Sequence, residues 1–150
     1  MKTKITTLLI AVASIFLVAC TQPQQSNSSE ASHQNETTKV ENYVVLTSNI
    51  QQIRSISHAA QLMKAESPDT FGKMEVVVCG KTVKETTDPQ VMEPILEAIE
   101  AGELEVKLCG FSVKQLGVDE TQVPAPITIV ENGIYYNFQK QHEGYNSLGL

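Results

Sequence analysis

Ten residues occur twice in this chain, thirty positions apart, and each copy holds a cysteine at the same place. Glu75-Val-Val-Val-Cys79-Gly80-Lys-Thr-Val-Lys84 returns as Glu105-Val-Lys-Leu-Cys109-Gly110-Phe-Ser-Val-Lys114, with six of the ten positions identical. In both copies an aliphatic, largely β-branched run stops at Cys-Gly, the pattern of a buried strand leaving a sheet. A period of about thirty residues is the length of one β-α-β unit, so the copies read as successive parallel strands. Ligands and chemistry on open α/β sheets gather outside the carboxyl ends of strands. Cys79 and Cys109 fall at that edge. The competing reading is a pair of cysteines that pack as small apolar side chains.

The rest of the chain alternates in the same way. Residues 43–46 read as a first strand, followed by Ser48 or Asn49 capping a helix whose apolar face is Ile50, Ile53, Ile56, Ala60 and Met63. Residues 74–78 form the next strand. Asp88-Pro89 supplies a capping residue and an N1 proline for a helix with Met92, Ile95, Leu96 and Ile99 on one face and Gly102 at its stop. Pro94 lies inside that helix, which is expected to begin late or bend there. Residues 104–108 are a strand, 111–116 a short helix, and 127–130 a strand. Asn132-Gly133 reads as a turn. A last helix presents Ile134, Tyr135, Phe138 and Gln141 or His142, Gly144 closes it, and residues 145–150 are a tail. This order predicts a three-layer α/β/α domain around a mostly parallel sheet of four to five strands.

The third cysteine bears on location. Met1-Lys-Thr-Lys4 is a basic start, and residues 5–19 are a mainly apolar run ending in Leu17-Val18-Ala19-Cys20. The run is too short for a membrane span of about twenty residues and has the layout of a signal peptide. Its end resembles the lipobox of bacterial lipoproteins. That resemblance implies removal of residues 1–19, a diacylglyceryl thioether on Cys20 and acylation, for example by palmitate, of the new amino terminus. Two or more acyl chains anchor a protein stably. The expected location is the cell envelope, and Thr21 after the cysteine points to the outer membrane facing the periplasm where the cell has two membranes. Residues 21–39 are rich in Gln, Ser, Asn, Thr and Glu, with no aliphatic side chain larger than Ala31. Residues 20–40 are therefore expected to be a disordered tether, spanning roughly 25 Å on average. The folded domain is expected over residues 41–150.

The full chain has 11 basic and 17 acidic residues, and Arg54 is its one arginine. With no basic patch, nucleic acid is excluded as a partner. Gly80-Lys81-Thr82 resembles the end of a phosphate loop, but Glu75 stands where its first glycine belongs, so nucleotide binding is not expected. No cofactor motif is present. His58 is expected at the edge of the first helix's buried face and His142 near a helix end; neither has a second ligand at helical spacing. A zinc site would need a histidine beside Cys79 and Cys109, and none is expected.

Cys109-Gly-Phe-Ser-Val-Lys-Gln-Leu-Gly-Val118, Val130-Glu-Asn-Gly133 and Gln141-His-Glu-Gly-Tyr145 together resemble the second half of DsrE/DsrF-like proteins. Val76-Val-Val-Cys-Gly80 resembles that family's second strand and glycine turn. The resemblance implies a flavodoxin-like α/β fold, frequent homo-oligomers and, in characterised members, a cysteine that carries sulfur as a persulfide. Cys109 inherits that role and Cys79 inherits none. The sulfur-relay members work in the cytoplasm, whereas this chain carries an export signal.

The residues themselves support a reactive Cys109. A thiolate is favoured at a helix amino terminus, and Cys109-Gly110-Phe111-Ser112 places the sulfur there. Gly110 allows close backbone approach, and Ser112 either caps the helix or donates to the sulfur. Glu105 is expected to raise the thiol pKa. Outside the cytoplasm two thiols in reach tend to oxidise, so a Cys79–Cys109 disulfide is the rival expectation if the two strands are neighbours. Three functions stand: a sulfane-sulfur carrier on Cys109; a non-catalytic binding lipoprotein with bridged or buried cysteines; and a thiol–disulfide redox protein, disfavoured by the lack of Cys-x-x-Cys.

Overall fold

The computed structural model describes residues 39–150. The expected leader, the Cys20 lipidation site and the tether with His33 lie outside the described residues, except for Lys39 and Val40, which are exposed.

Five parallel strands form one sheet: β1 (Glu41–Thr47), β2 (Phe71–Val78), β3 (Glu105–Cys109), β4 (Thr128–Val130) and β5 (Asn146–Gly149). Their order is β4-β3-β2-β1-β5. Four α-helices connect them: α1 (Ile53–Glu66), α2 (Pro89–Glu100), α3 (Gly110–Leu116) and α4 (Gly133–His142). Short 3-10 helices precede α1 (Ile50–Gln52), precede α2 (Gly80–Thr87) and precede β4 (Glu120–Gln122). The α/β/α class is as expected. The tail, however, is a strand, and it pairs with β1 from Tyr43↔Asn146 to Leu46↔Gly149. Its four residues are all exposed, so their pattern carries no core signal, and only pairing to β1 makes them a strand.

From β1 to β4 the chain steps across the sheet in one direction, then α4 carries it back past β1. Right-handed crossovers place helices of the first run on one face and the returning helix on the other. On the first face Val45, Met74, Val76, Val78, Val106 and Leu108 meet Ile50, Ile53, Ile56 and Ala60, with Met92, Ile95 and Val113 beside them. Each isoleucine so buried contributes about 1.5 to 3 kcal/mol. Asn49 caps this first helical segment by accepting from Gln51 N–H, and Asp88 caps α2 by accepting from Gln90 N–H at 2.9 Å. Pro94 does not delay α2, which starts at Pro89 and runs through it. His58 is fully on the exposed side of α1 rather than at its buried edge.

The second face is different, because side chains alternate along a strand. Glu75, Val77 and Cys79 share it with Glu105, Lys107 and Cys109, and α4 lies against β1, β2, β3 and β5. α4 turns Tyr136 and Asn137 inward and leaves Ile134, Tyr135 and Phe138 56–59 % exposed. The expected apolar stripe of this helix thus faces outward. The reason is the sheet beneath it: Glu75 is 1 % exposed and must be met by polar groups. Lys73 Nζ lies 2.7 Å from its carboxylate, and the hydroxyls of Tyr136 and Tyr145 donate to it. Burial opposes the ionised form of Glu75, but these partners outweigh it and hold its pKa below the ordinary carboxylate value. Among the described residues no helix is long and apolar enough to cross a membrane.

Candidate functional site

β2 and β3 are neighbours, in register from Glu75↔Glu105 to Val78↔Leu108. One step further along each strand stands a cysteine, so the repeat in the sequence is a repeat in space. Paired positions on adjacent strands lie about 4.8 Å apart, inside the Cα separation a disulfide tolerates. Both cysteines are thiols here, Cys79 half-buried and Cys109 buried at 4 % exposure.

The switch in crossover direction also falls here. The helix after β3 packs on one face and the helix after β4 on the other, and the crevice outside such a pair of strand ends is where α/β sheets bind ligands. Cys109 ends β3, paired with Val130 of β4.

Gly133 opens α4 directly over the pair, and its N–H donates to Cys109 Sγ at 3.2 Å. A Cβ at this position would stand 2.5 Å from Cys79 Sγ, 2.8 Å from Val77 Cγ1 and 3.2 Å from Cys109 Cβ, so only glycine fits without movement. Asn132 fixes this helix end, its side chain accepting from Ile134 N–H at 3.0 Å and Tyr135 N–H at 3.1 Å. The Asn132-Gly133 pair is thus a helix start and not a turn. Gly110, on the other side, would place a Cβ 2.7 Å from Val130 carbonyl oxygen, so its backbone passes close to the end of β4.

Ser112 is buried within α3 and does not cap it; Cys109 itself occupies the N-cap position. The Ser112 hydroxyl accepts from Gly80 N–H at 2.9 Å, tying the loop after Cys79 to the helix after Cys109. Burial alone would raise the Cys109 pKa. Hydrogen bonds from Gly133 N–H, from the Ser112 hydroxyl and N–H and from the Cys79 thiol outweigh it and hold Cys109 below the ordinary thiol value. Cys79 moves the other way, pushed up to about 12 by burial and by the neighbouring Cys109 sulfur. The two shifts run in opposite directions, so Cys109 gives up its proton before Cys79 does. Glu105, expected to raise the Cys109 pKa, is engaged by Lys107 at 2.9 Å and Lys73 at 3.4 Å.

Among the described residues no group of three or more His, Cys, Asp or Glu gathers, so the two cysteines gain no third metal ligand there. Gly133 and Asn132 are the site residues that sequence reasoning missed, and their signal, an Asx-Gly pair after a strand, also marks a helix N-cap.

No family model matches the chain, and no curated protein does. Solved structures do. A protein of unknown function from Methanobacterium thermoautotrophicum superposes with a TM-score of 0.60 at 14 % identity, covering 75 % of this chain and 99 % of that one. A conserved protein of unknown function from Bacteroides thetaiotaomicron gives 0.57 at 21 % identity, covering 73 % of this chain and 95 % of that one. At these identities the likeness is one of fold.

Proposed function

We propose that this protein is an envelope-anchored, DsrE/DsrF-like lipoprotein that handles sulfane sulfur through a persulfide on Cys109. The observation that carries this reading is the Cys109 sulfur itself, at a strand end, under the Gly133 N–H and with its pKa lowered. A sulfur carrier needs a thiolate to attack sulfane sulfur and donors to hold the anion that results. The lipid anchor on Cys20 rests on the leader pattern, Leu17-Val18-Ala19-Cys20.

A second reading has its own support. The neighbouring positions of Cys79 and Cys109 suit a disulfide, and an oxidising compartment would form one. The protein would then be a binding or redox lipoprotein.

Intact mass of the full chain, purified in detergent without reductant and measured before and after alkylation, separates these. Two alkyl groups, or an added sulfur atom lost on reduction, is the outcome expected of the carrier. A mass two hydrogens short, with no alkylation, overturns the carrier as the resting state and selects the disulfide. A mass that starts at Cys20 with added acyl groups checks the anchor.

A further inference from the structure

A persulfide carrier that only delivers sulfur should keep other thiols away from the loaded cysteine. Here the second thiol is built in. Cys79 follows β2 and Cys109 ends β3, each one residue beyond the paired Val78 and Leu108, and Gly133 lies against both. Gly80 N–H donates to Ser112 Oγ and so joins the segment after Cys79 to the segment after Cys109. The pair is therefore held together by strand pairing, by a side-chain hydrogen bond and by the start of α4.

We infer that Cys79 is a resolving thiol, so that sulfane sulfur taken up on Cys109 leaves the site as hydrosulfide and not as transferable sulfur; this rests on the persulfide reading above. In the loading step the Cys109 thiolate attacks a sulfane sulfur of a polysulfide. A Cys109 Sγ–S bond forms, the polysulfide S–S bond breaks, and a polysulfide shorter by one sulfur departs. In the second step the Cys79 sulfur attacks Cys109 Sγ, the inner sulfur of the persulfide. The Cys79–Cys109 disulfide forms, the Cys109 Sγ–S bond breaks, and the outer sulfur leaves with the Cys79 proton as hydrosulfide. Two thiol electrons reduce one sulfane sulfur, and charge and protons balance. This is thiol–disulfide exchange with hydrosulfide as the leaving group.

The roles are not interchangeable. Cys109 receives the Gly133 N–H and lies at the sheet's switch point, the place for the anionic sulfur. Cys79 carries the proton that the leaving sulfur needs. A dithiol reductant then returns the pair to two thiols. The site would thus serve the reductive disposal of polysulfide sulfur, one sulfur for each dithiol consumed.

The test uses the full chain in detergent, reduced, freed of reductant and exposed to inorganic polysulfide at one equivalent. Intact mass is followed in the native sequence, Cys79→Ser, Cys79→Ala and Cys109→Ser, with far-UV circular dichroism confirming that each is folded. The native chain should end two hydrogens below its reduced mass with no retained sulfur. Both Cys79 variants should keep one added sulfur atom, and Cys109→Ser should show neither change. A native chain that retains the added sulfur overturns the resolving role while leaving the carrier intact. Folded Cys79 variants that take up no sulfur overturn the persulfide reading, and the resolving role with it.

Discussion

Gly133 does two things at once: it donates its N–H to Cys109 Sγ at 3.2 Å and leaves room for Cys79 Sγ. Replacing it by alanine sets a Cβ 2.5 Å from that sulfur and 2.8 Å from Val77 Cγ1, and Val77 is fully buried in the central strand β2. α4 must therefore shift. Gly133→Ala should destabilise the fold by about 1 to 3 kcal/mol in urea denaturation, as overpacking of a tight site does. It should also move the pH midpoint of Cys109 alkylation upward, because the N–H that favours the thiolate is displaced. A variant with native stability and a native midpoint would mean that α4 does not rest on the thiol pair. The sequence makes Cys109 legible as a candidate through its place before Gly110 and a short helix. It does not make Gly133 legible, since the donor belongs to an element 24 residues away.

α4 shows how an element's outer and inner faces are chosen by what it meets. By its own pattern Ile134, Tyr135 and Phe138 form the apolar stripe, yet the sheet beneath presents Glu75 and Lys73, and Tyr136 and Tyr145 turn toward them. Lys140 sits over the rings of both tyrosines, at 5.3 and 5.0 Å from their centres. Glu75 is the anchor of this contact. Its pKa is lower in the folded state than the usual 4.5, so the stability it contributes is full above that value and is lost as pH falls through the depressed one. Glu75→Gln should therefore flatten the acid limb of the stability profile. At neutral pH it should cost about 1 to 2 kcal/mol, the difference between hydrogen bonds to charged and neutral acceptors. An unchanged acid limb in urea titrations from pH 7 to 3 would show that α4 docks without this carboxylate. The clue in the sequence was a glutamate inside the aliphatic strand that ends in Val76-Val-Val78, but its two tyrosine partners come from positions 61 and 70 residues further on.

At the scale of the whole molecule, the sheet is closed off by its last and least conspicuous strand. β5 pairs with β1, and Leu150 N–H donates to Leu46 carbonyl oxygen at 2.9 Å. Removing residues 146–150 turns β1, with buried Val44 and Val45, into an open edge. The truncated chain should melt at least about 5 °C lower and self-associate in light scattering; an unchanged midpoint and a monomer would make β5 dispensable. The sequence by itself determined the alternation of elements, the core face of α1 and α2, a cap at Ser48 or Asn49 and another at Asp88, and the two Cys-Gly strand ends. Those features are local, set by periodicity and by side chains that bond their own backbone. Only the tertiary structure decided that β2 and β3 are neighbours, that a polar face turns α4 over, and that the tail becomes a strand. Each of these depends on which segments pair across the sheet, and strand order is a property of the assembled chain. The two cysteines were visible from the start; that they form one site follows from the sheet.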